Sequence, residues 1–469
     1  MLAYFVHGIG AAAAIHAMLK SSTPQIAYTW AVALVALPWL AIPLYVLFGS
    51  RHFDDYVNPL RSGSLFQSRT TEDILRQASS IPTHLPAAEQ RATLSVLQKL
   101  CRVHFSQGNQ VELLVDGLAT YQRMTDEIMA AQEYVLVLFY KIVDDEAGRN
   151  LQQLLCHKAQ QRVKVYLVFD EFGSHTLKDR FLGPLRKAGV QCWPFRTASG
   201  WRNKLQLNFR NHRKIVVVDG SVALVGGLNV ADKYLGKSSF YGAWRDTHTV
   251  LRGPAVLAVQ LAFAEDYFWA SAGQIPDLQW APRLSDQENF GCTYLSFGPT
   301  DNLPKGLMLY LECIHAARHR LWLASPYFLP DPSILNALRM AVMRGVDVRV
   351  LLPPGRYEPI MRWAMHSLNS EMRNSGIRFF EYPTYNHSKV MLVDDWFAWV
   401  GSSNLDNRSL RLNFEGNLLV ADGKFAGQMA KMLEADFQKS TPLDLRELNR
   451  MTLKTRFACK LTRLLQPLL

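Results

Sequence analysis

The chain has 469 residues, 49% of them hydrophobic, with 51 Lys or Arg against 40 Asp or Glu and a formal net charge of +11. This excludes a disordered or collagen-like chain, and the length suits two or three domains with full cores that need no disulfide or metal staples. The six cysteines, Cys101, Cys156, Cys192, Cys292, Cys313 and Cys459, show neither a C-x-x-C pair nor a Cys/His cluster at zinc spacing. A disulfide framework is therefore not expected, and a reducing compartment fits.

Lys20 is the only formally charged side chain before Arg51. Residues 2–19 are apolar apart from two histidines, and residues 26–49 carry no charge at all. About 20 apolar residues cross a bilayer core, so the second stretch reads as spanning, with Trp30 and Trp39 of the type found at membrane interfaces. The first stretch is shorter; a signal-peptide core is its alternative, but no basic region precedes it and more apolar sequence follows at once. Residues 1–50 are thus expected to form a transmembrane helical hairpin, with Pro38 and Pro43 making the second helix kinked or re-entrant. Two buried helices of a soluble core are the competing reading. Lys20 in the short loop, weighed against Arg51, Arg61 and Arg69, favours a cytoplasmic main body. Residues 51–104 follow as a linker or peripheral helical segment.

From about residue 105 the chain takes on an α/β rhythm. Strand-like runs at 134–140, 163–169, 214–220 and 222–227 surround a helix candidate near 176–187. Runs at 320–330, 346–353, 389–395 and 397–404, with a helix candidate through 332–344, repeat it. His212 and His387, Lys214 and Lys389, Asp219 and Asp394, Gly226 and Gly401, and Asn229 and Asn404 are each 175 positions apart. Five identities at one offset mark a duplication. Two domains are therefore expected, 105–271 and 304–440, joined by a Pro-, Gly- and polar-rich connection at 272–303.

Each copy carries H-x-K-x4-D-x6-G-[GS]-x-N. On a strand, residues two apart share a face, so the His and Lys of H-x-K project together. Two such pockets meeting across a pseudo-two-fold would supply two histidines, two lysines and two asparagines, with no obvious carboxylate cluster suited to Mg²⁺. This composition suits a phosphodiester and calls for no cofactor. One imidazole attacks phosphorus while the other protonates the departing oxygen, and Lys214, Lys389, Asn229 and Asn404 bind the phosphate oxygens. A nucleophilic histidine also needs a carboxylate to set its tautomer, and each half offers one downstream, Asp246 and Glu415. Asp219 and Asp394 complete the motif as catalytic candidates, but they follow their strands and a structural role is their alternative.

These residues resemble the paired H-K-D motifs of the phospholipase D superfamily. The hydrophobic hairpin, WRDTHTVLRGPAV, SPYFLPD, RGVDVRVLLPPG and SSNLDNRSLRLNFE resemble, more narrowly, the bacterial phospholipase D-type cardiolipin synthases. The resemblance covers essentially the whole chain. It implies two α/β domains packed face to face around one active site, with a covalent phosphohistidine intermediate. One of His212 and His387 is then the nucleophile, His212 being the choice because the amino-terminal motif often supplies it, and the other is the general acid and then base. It also implies phosphatidylglycerol as substrate, cardiolipin and glycerol as products, and a multi-pass protein of the bacterial inner membrane. Gly227 stands where a serine is common, whereas the second copy has Ser402, so the half-sites are unequal.

Residues 450–469 carry five basic and no acidic side chains, with Leu453, Phe457, Leu461, Leu464, Leu465 and Leu468 on one helical face. They read as a basic amphipathic helix within a 441–469 tail, lying on anionic lipid or docked on the body. The positive body alone suits nucleic acid as well as lipid, but a chain tethered at a bilayer meets head groups first, and no nucleic-acid partner is expected. Tyr327, Phe328 and Trp244 are expected as pocket walls or core. Competing functions are hydrolysis of the same lipid bond and non-catalytic lipid binding.

Overall fold

The computed structural model describes residues 1–20, 24–49, 88–196, 209–273, 275–355, 359–443, 452, 457–460 and 462. Three helices open the chain: α1 (Leu2–Lys20), α2 (Pro24–Ala36) and α3 (Pro38–Phe48). The second apolar stretch is therefore not one spanning helix. Pro38 has no N–H to donate and its ring crowds the carbonyl four residues back, so the helix ends at Ala36 and restarts after Leu37. Among the described residues no helix is long and apolar enough to cross a membrane. The helices pack on Ala14, Ala17, Leu34, Ala41 and Tyr45. Gly10 permits the contact, since a Cβ there would lie 2.3 Å from the Leu34 carbonyl oxygen.

Of the predicted 51–104 segment, α4 (Ala88–Leu100) is described and residues 51–87 lie outside the described residues. The first half then contains β1 (Ser106–Val115), α5 (Asp116–Ala130), β2 (Tyr134–Phe139), α6 (Glu146–Gln160), β3 (Lys164–Asp170), α7 (Asp179–Lys187), β4 (Gln191–Phe195), β5 (Lys214–Val218), β6 (Val222–Gly226), β7 (Trp244–Arg245), β8 (Thr247–Arg252) and α8 (Val256–Ser271). The second contains β9 (Phe290–Phe297), α9 (Lys305–Ala316), β10 (Arg320–Ala324), α10 (Pro332–Met343), β11 (Asp347–Leu352), β12 (Arg378–Glu381), β13 (Tyr385–Asn386), β14 (Val390–Val393), β15 (Phe397–Gly401), β16 (Glu415–Ala421), α11 (Gly423–Lys439) and β17 (Thr441–Pro442). The stretch read as a connection, 272–303, thus holds strand β9. The amphipathic helix expected at 450–469 lies outside the described residues apart from residues 452, 457–460 and 462.

Read outward from β1 and from β9, the two halves have the same strand order, β8-β6-β5-β2-β3-β4 and β16-β15-β14-β10-β11-β12. They join edge to edge where β1 pairs antiparallel with β9, with a register irregularity between Ser106 and Asn109. They also share a core, to which β5 and β6 give Ile215, Val217 and Val225 and β14 and β15 give Val390, Ala398 and Val400. Helix α8 is buried continuously from Val256 to Tyr267, and the polar side chains within that stretch are partnered, Glu265 by Arg102 and Asp266 by Arg213. The runs of β5 and β14 are wholly buried, which fixes the register of the H-x-K residues preceding or opening each strand.

The motif aspartates lie at the far end of these strands. Asp219 and Asp394 both have φ of 49° and sit in the turns that follow β5 and β14. Asp219 accepts hydrogen bonds from the backbone N–H groups of Gln132, Glu133 and Tyr134, each at 2.8 Å. Asp394 does the same for Arg318, His319 and Arg320 at 3.0, 2.8 and 2.9 Å. The reading of these aspartates as catalytic is therefore corrected: each pins its hairpin to the start of β2 or β10. Asp219→Ala should cost about 2–3 kcal/mol, seen as a melting temperature lower by several degrees. The turnover of the folded variant should stay within about threefold of wild type, whereas a catalytic role would lower it by about 10²-fold or more.

Candidate active site

The residues leading into each H-x-K dock on the opposite half. His212 N–H donates to the Phe414 carbonyl at 2.8 Å, and Phe414 N–H donates to that of Arg210 at 2.9 Å. In the second copy β13 pairs parallel with β7, and His387 N–H donates to the Arg245 carbonyl at 2.7 Å. Phe414 and Arg245 are the residues just before Glu415 and Asp246, so this docking delivers each imidazole to the carboxylate of the other half. His212 Nδ1 lies 3.0 Å from both carboxylate oxygens of Glu415, and His387 Nδ1 lies 2.7 Å from Asp246 Oδ2. Both carboxylates are fully buried while the histidine side chains keep 12% exposure. A carboxylate on Nδ1 fixes the proton there and leaves the Nε2 lone pair for chemistry.

The docking is held by buried ion pairs on either side. Arg213, the middle residue of the first H-x-K, reaches Asp266 of α8 at 2.7 Å and the Glu415 carbonyl at 3.1 Å. Arg245 grips Asp436 of α11 with its closest contact at 2.7 Å. Thr247 Oγ donates to Ser388 Oγ, the middle residue of the second H-x-K, at 3.1 Å.

The description "Cardiolipin synthase, PLD-like domain" matches residues 124–239 and 310–437, one stretch in each half. "Cardiolipin synthase A" of a Pseudomonas fluorescens strain is 41% identical over 466 residues, covering 99% of this chain and 97% of that one. The same-named protein of a Pseudomonas putida strain is 41% identical over 470 residues, covering 99% and 97%. The chain belongs to the phospholipase D-like cardiolipin synthase family. A solved structure, the phosphatidylserine synthase of Haemophilus influenzae, superposes with a TM-score of 0.61 over 85% of this chain and all of that one at 14% identity, a likeness of fold.

Within this family frame, the structure gathers His212, Lys214, Asn229, Asp246, His387, Lys389 and Glu415 and leaves Asp219 and Asp394 apart. Lys214 Nζ donates to the His212 carbonyl and Lys389 Nζ to that of His387. Asn229 Oδ1 accepts from Lys141 N–H at 3.1 Å, and its amide donates to the Tyr234 hydroxyl at 3.1 Å. Asn404 is buried, and among the described residues its Oδ1 has no hydrogen-bond donor. Trp244 is buried in a small apolar cluster with Tyr234 and Tyr385, its ring centroid 5.2 Å from that of His387, and Phe328 is buried in the second half's core. Sequence reasoning did not single out Tyr140, edge-on to His212 at 4.9 Å, or Tyr234, 6.3 Å from His387. The signal for Tyr140 is its place just beyond the C-terminal end of β2, where open α/β sheets keep their ligand crevices.

The unequal residues Gly227 and Ser402 follow from the unequal carboxylates. Ser402 Oγ donates to Glu415, and Asn413 Nδ2 adds a bond at 3.2 Å. Across the site a Cβ on Gly227 would lie 2.1 Å from Asp246 Oδ1, so the carboxylate fills the space a serine would need. Asp246 takes Thr247 N–H at 2.8 Å instead.

Burial pushes the His212 pKa down more than Glu415 raises it, and burial together with Lys389 and Lys214 pushes His387 well below its usual value. Burial brings Lys214 down to about 7 and Lys389 to about 8, against the pull of the two carboxylates. Burial raises Asp246, while His212 and Lys214 outweigh burial and hold Glu415 below the usual range. In the absence of substrate the site therefore loses its ammonium protons as pH rises through 7 to 8. An anion binds the protonated form, so KM for a phosphodiester should be flat below about pH 7 and rise above it by up to about tenfold per unit for each lysine that must regain a proton. Measuring KM against pH at fixed micellar surface concentration checks this, and a KM unchanged from pH 6 to 9 would contradict it.

Proposed function

We propose that the protein is a membrane-bound phosphatidyltransferase that condenses two phosphatidylglycerol molecules to cardiolipin and glycerol. The observation that carries the reading is the pair of buried carboxylate–imidazole couples, crossed between halves, with two lysines between them. The family membership supports it, as does the name shared by its relatives.

In this reading His212 Nε2 attacks phosphorus, and the bond to the glycerol oxygen breaks as that oxygen takes the Nε2 proton of His387. The phosphodiester favours His387 as an acid: its negative charge offsets Lys389 and Lys214, whose repulsion adds to burial in keeping the imidazole neutral. Lys214, Lys389 and Asn404 stabilise the equatorial oxygens, with Asn229 bracing the wall between Lys141 and Tyr234. In the second half-reaction the terminal hydroxyl of another phosphatidylglycerol gives its proton to His387 and attacks phosphorus. The phosphorus–nitrogen bond breaks and His212 is restored.

The amino-terminal hairpin is the inferred anchor in the bacterial inner membrane, with the body cytoplasmic. Tyr4, Phe5, Ile15, Met18, Leu19, Tyr28, Val32, Val35, Trp39, Leu40 and Val46 all face outward and are exposed. So large an apolar surface calls for lipid or protein cover. The exposed His16 is paired, as burial in lipid requires, with its Nδ1 2.8 Å from the Tyr45 hydroxyl. Because Pro38 divides the second segment, a re-entrant hairpin is the form inferred.

Detergent-purified protein given phosphatidylglycerol in excess EDTA should yield cardiolipin and glycerol in equal amounts. His212→Ala and His387→Ala should each lose about 10³-fold in rate. Wild-type enzyme quenched in neutral denaturant, where the phosphorus–nitrogen bond survives, should carry a phosphatidyl mass on the peptide containing His212. Phosphatidic acid as sole product would identify a hydrolase instead, and a label on His387 would reverse the assignment of roles.

A further inference from the structure

The duplication fails in one stretch beside the site. Asn229 and Asp246 are 17 positions apart, whereas their counterparts Asn404 and Glu415 are 11 apart. The longer segment makes a single 3-10 turn, Asp232–Leu235, passes through Gly236 at φ 74°, and returns at Trp244. It builds an aromatic wall on the His387 side only. Tyr241 meets Trp244 and Tyr385 edge-on, each at 5.1 Å, and Trp244 lies 5.2 Å from the His387 ring. Phe240, 63% exposed, abuts Tyr241 at 4.9 Å and carries the wall out to solvent. Lys233 is set into it, its Nζ 4.7 Å from the ring centroid of Trp244 and 5.0 Å from those of Tyr234 and Tyr241. This ammonium and the His387 imidazole thus lie against the same indole.

The transferred phosphorus is already served by Lys214 and Lys389. In the reading above, however, the second lipid brings a phosphodiester of its own, and its attacking hydroxyl and its phosphate are the two ends of one glycerol. When the hydroxyl stands at His387, the phosphate lies one three-carbon span away. We propose that Lys233, with Tyr241 and Trp244, forms the acceptor subsite, where its ammonium holds the phosphate of the incoming anionic phospholipid while the terminal hydroxyl of that lipid meets His387. The proposal rests on the transferase reading. The step balances: the acceptor oxygen bonds to phosphorus as the bond from phosphorus to His212 breaks, and the hydroxyl proton passes to His387.

The same placement favours a lipid over water. The charge of Lys233 is one of those that lower the proton affinity of His387, after burial, Lys389 and Lys214. A phosphate on Lys233 offsets that charge and makes His387 a stronger base when the acceptor arrives. Water brings no phosphate and leaves the base weak.

The test gives full-length enzyme phosphatidylglycerol micelles together with labelled glycerol. Two alcohols then compete for one intermediate, giving cardiolipin or labelled phosphatidylglycerol, and their ratio does not depend on how much enzyme is folded. Lys233→Gln should lower the cardiolipin-to-exchange ratio about tenfold, the usual effect of losing one charge-assisted hydrogen bond to phosphate, and Lys233→Arg should keep it within about threefold. Lys233→Met keeps the apolar stem against the rings and asks the same question if the glutamine variant is unstable. A ratio unchanged in Lys233→Gln or Lys233→Met, with both products falling together, would overturn the subsite and leave Lys233 serving the transferred phosphate or the wall. Wild-type enzyme that makes neither product would instead overturn the transferase reading itself.

Discussion

Each motif imidazole is held by a carboxylate from the other half of the molecule, and the rest of the site depends on that exchange. His212 cannot take its tautomer without Glu415, nor His387 without Asp246. The backbone docking at Phe414 and Arg245 is what brings the partners within reach. Neither half alone contains a complete imidazole–carboxylate couple, so the pseudo-two-fold is a chemical requirement and not only a record of duplication. It also explains the buried pairs Arg213–Asp266 and Arg245–Asp436. Such pairs add little net stability compared with apolar packing, but losing one partner is costly, so they fix one arrangement of the halves against all others.

The charge balance of the site has the same origin. Two ammonium groups and two carboxylates are buried together, and each lysine already donates to the carbonyl of its own motif histidine. Burial disfavours every one of these charges, which is why the lysines titrate near neutrality. A phosphodiester supplies the missing negative charge at the centre. The interaction that binds the substrate therefore also restores the protons that the chemistry uses.

Much of this was legible in the sequence, for reasons that can be traced to particular residues. The apolar runs KIVVV and VMLV read as buried strands, and the constant offset of 175 revealed the duplication and the H-x-K pairs. Composition also named Asp246 and Glu415, because a histidine of this kind needs a carboxylate. What spacing could not reveal was that the partners cross, since chain distance says nothing about which half supplies a contact. The motif aspartates misled for a similar reason: their partners are backbone N–H groups preceding β2 and β10, which leave no side-chain signature. In the apolar amino-terminal stretch hydropathy ran unbroken while the hydrogen-bond ladder did not, because Pro38 removes a donor without lowering the hydrophobicity.

A duplicated scaffold that must run two different half-reactions needs its asymmetry somewhere. In the proposed mechanism there is little room for it at phosphorus, since release of glycerol and attack by a lipid glycerol are nearly the same step in opposite directions, with one acid–base histidine assigned to both. The alcohols differ in what they carry beyond the reacting oxygen: free glycerol carries a hydroxyl, and the acceptor lipid carries a phosphodiester and two acyl chains. Discrimination must therefore lie outside the duplicated motif, at the distance of that second phosphate and along a surface that tolerates hydrocarbon. The extra length between Asn229 and Asp246 is where the two halves part company. It places an ammonium and a run of aromatic rings against His387, with no equivalent length in the second half to do the same for His212. Differential binding of this kind acts only when the acceptor is present, so it can raise the rate of lipid attack without favouring water.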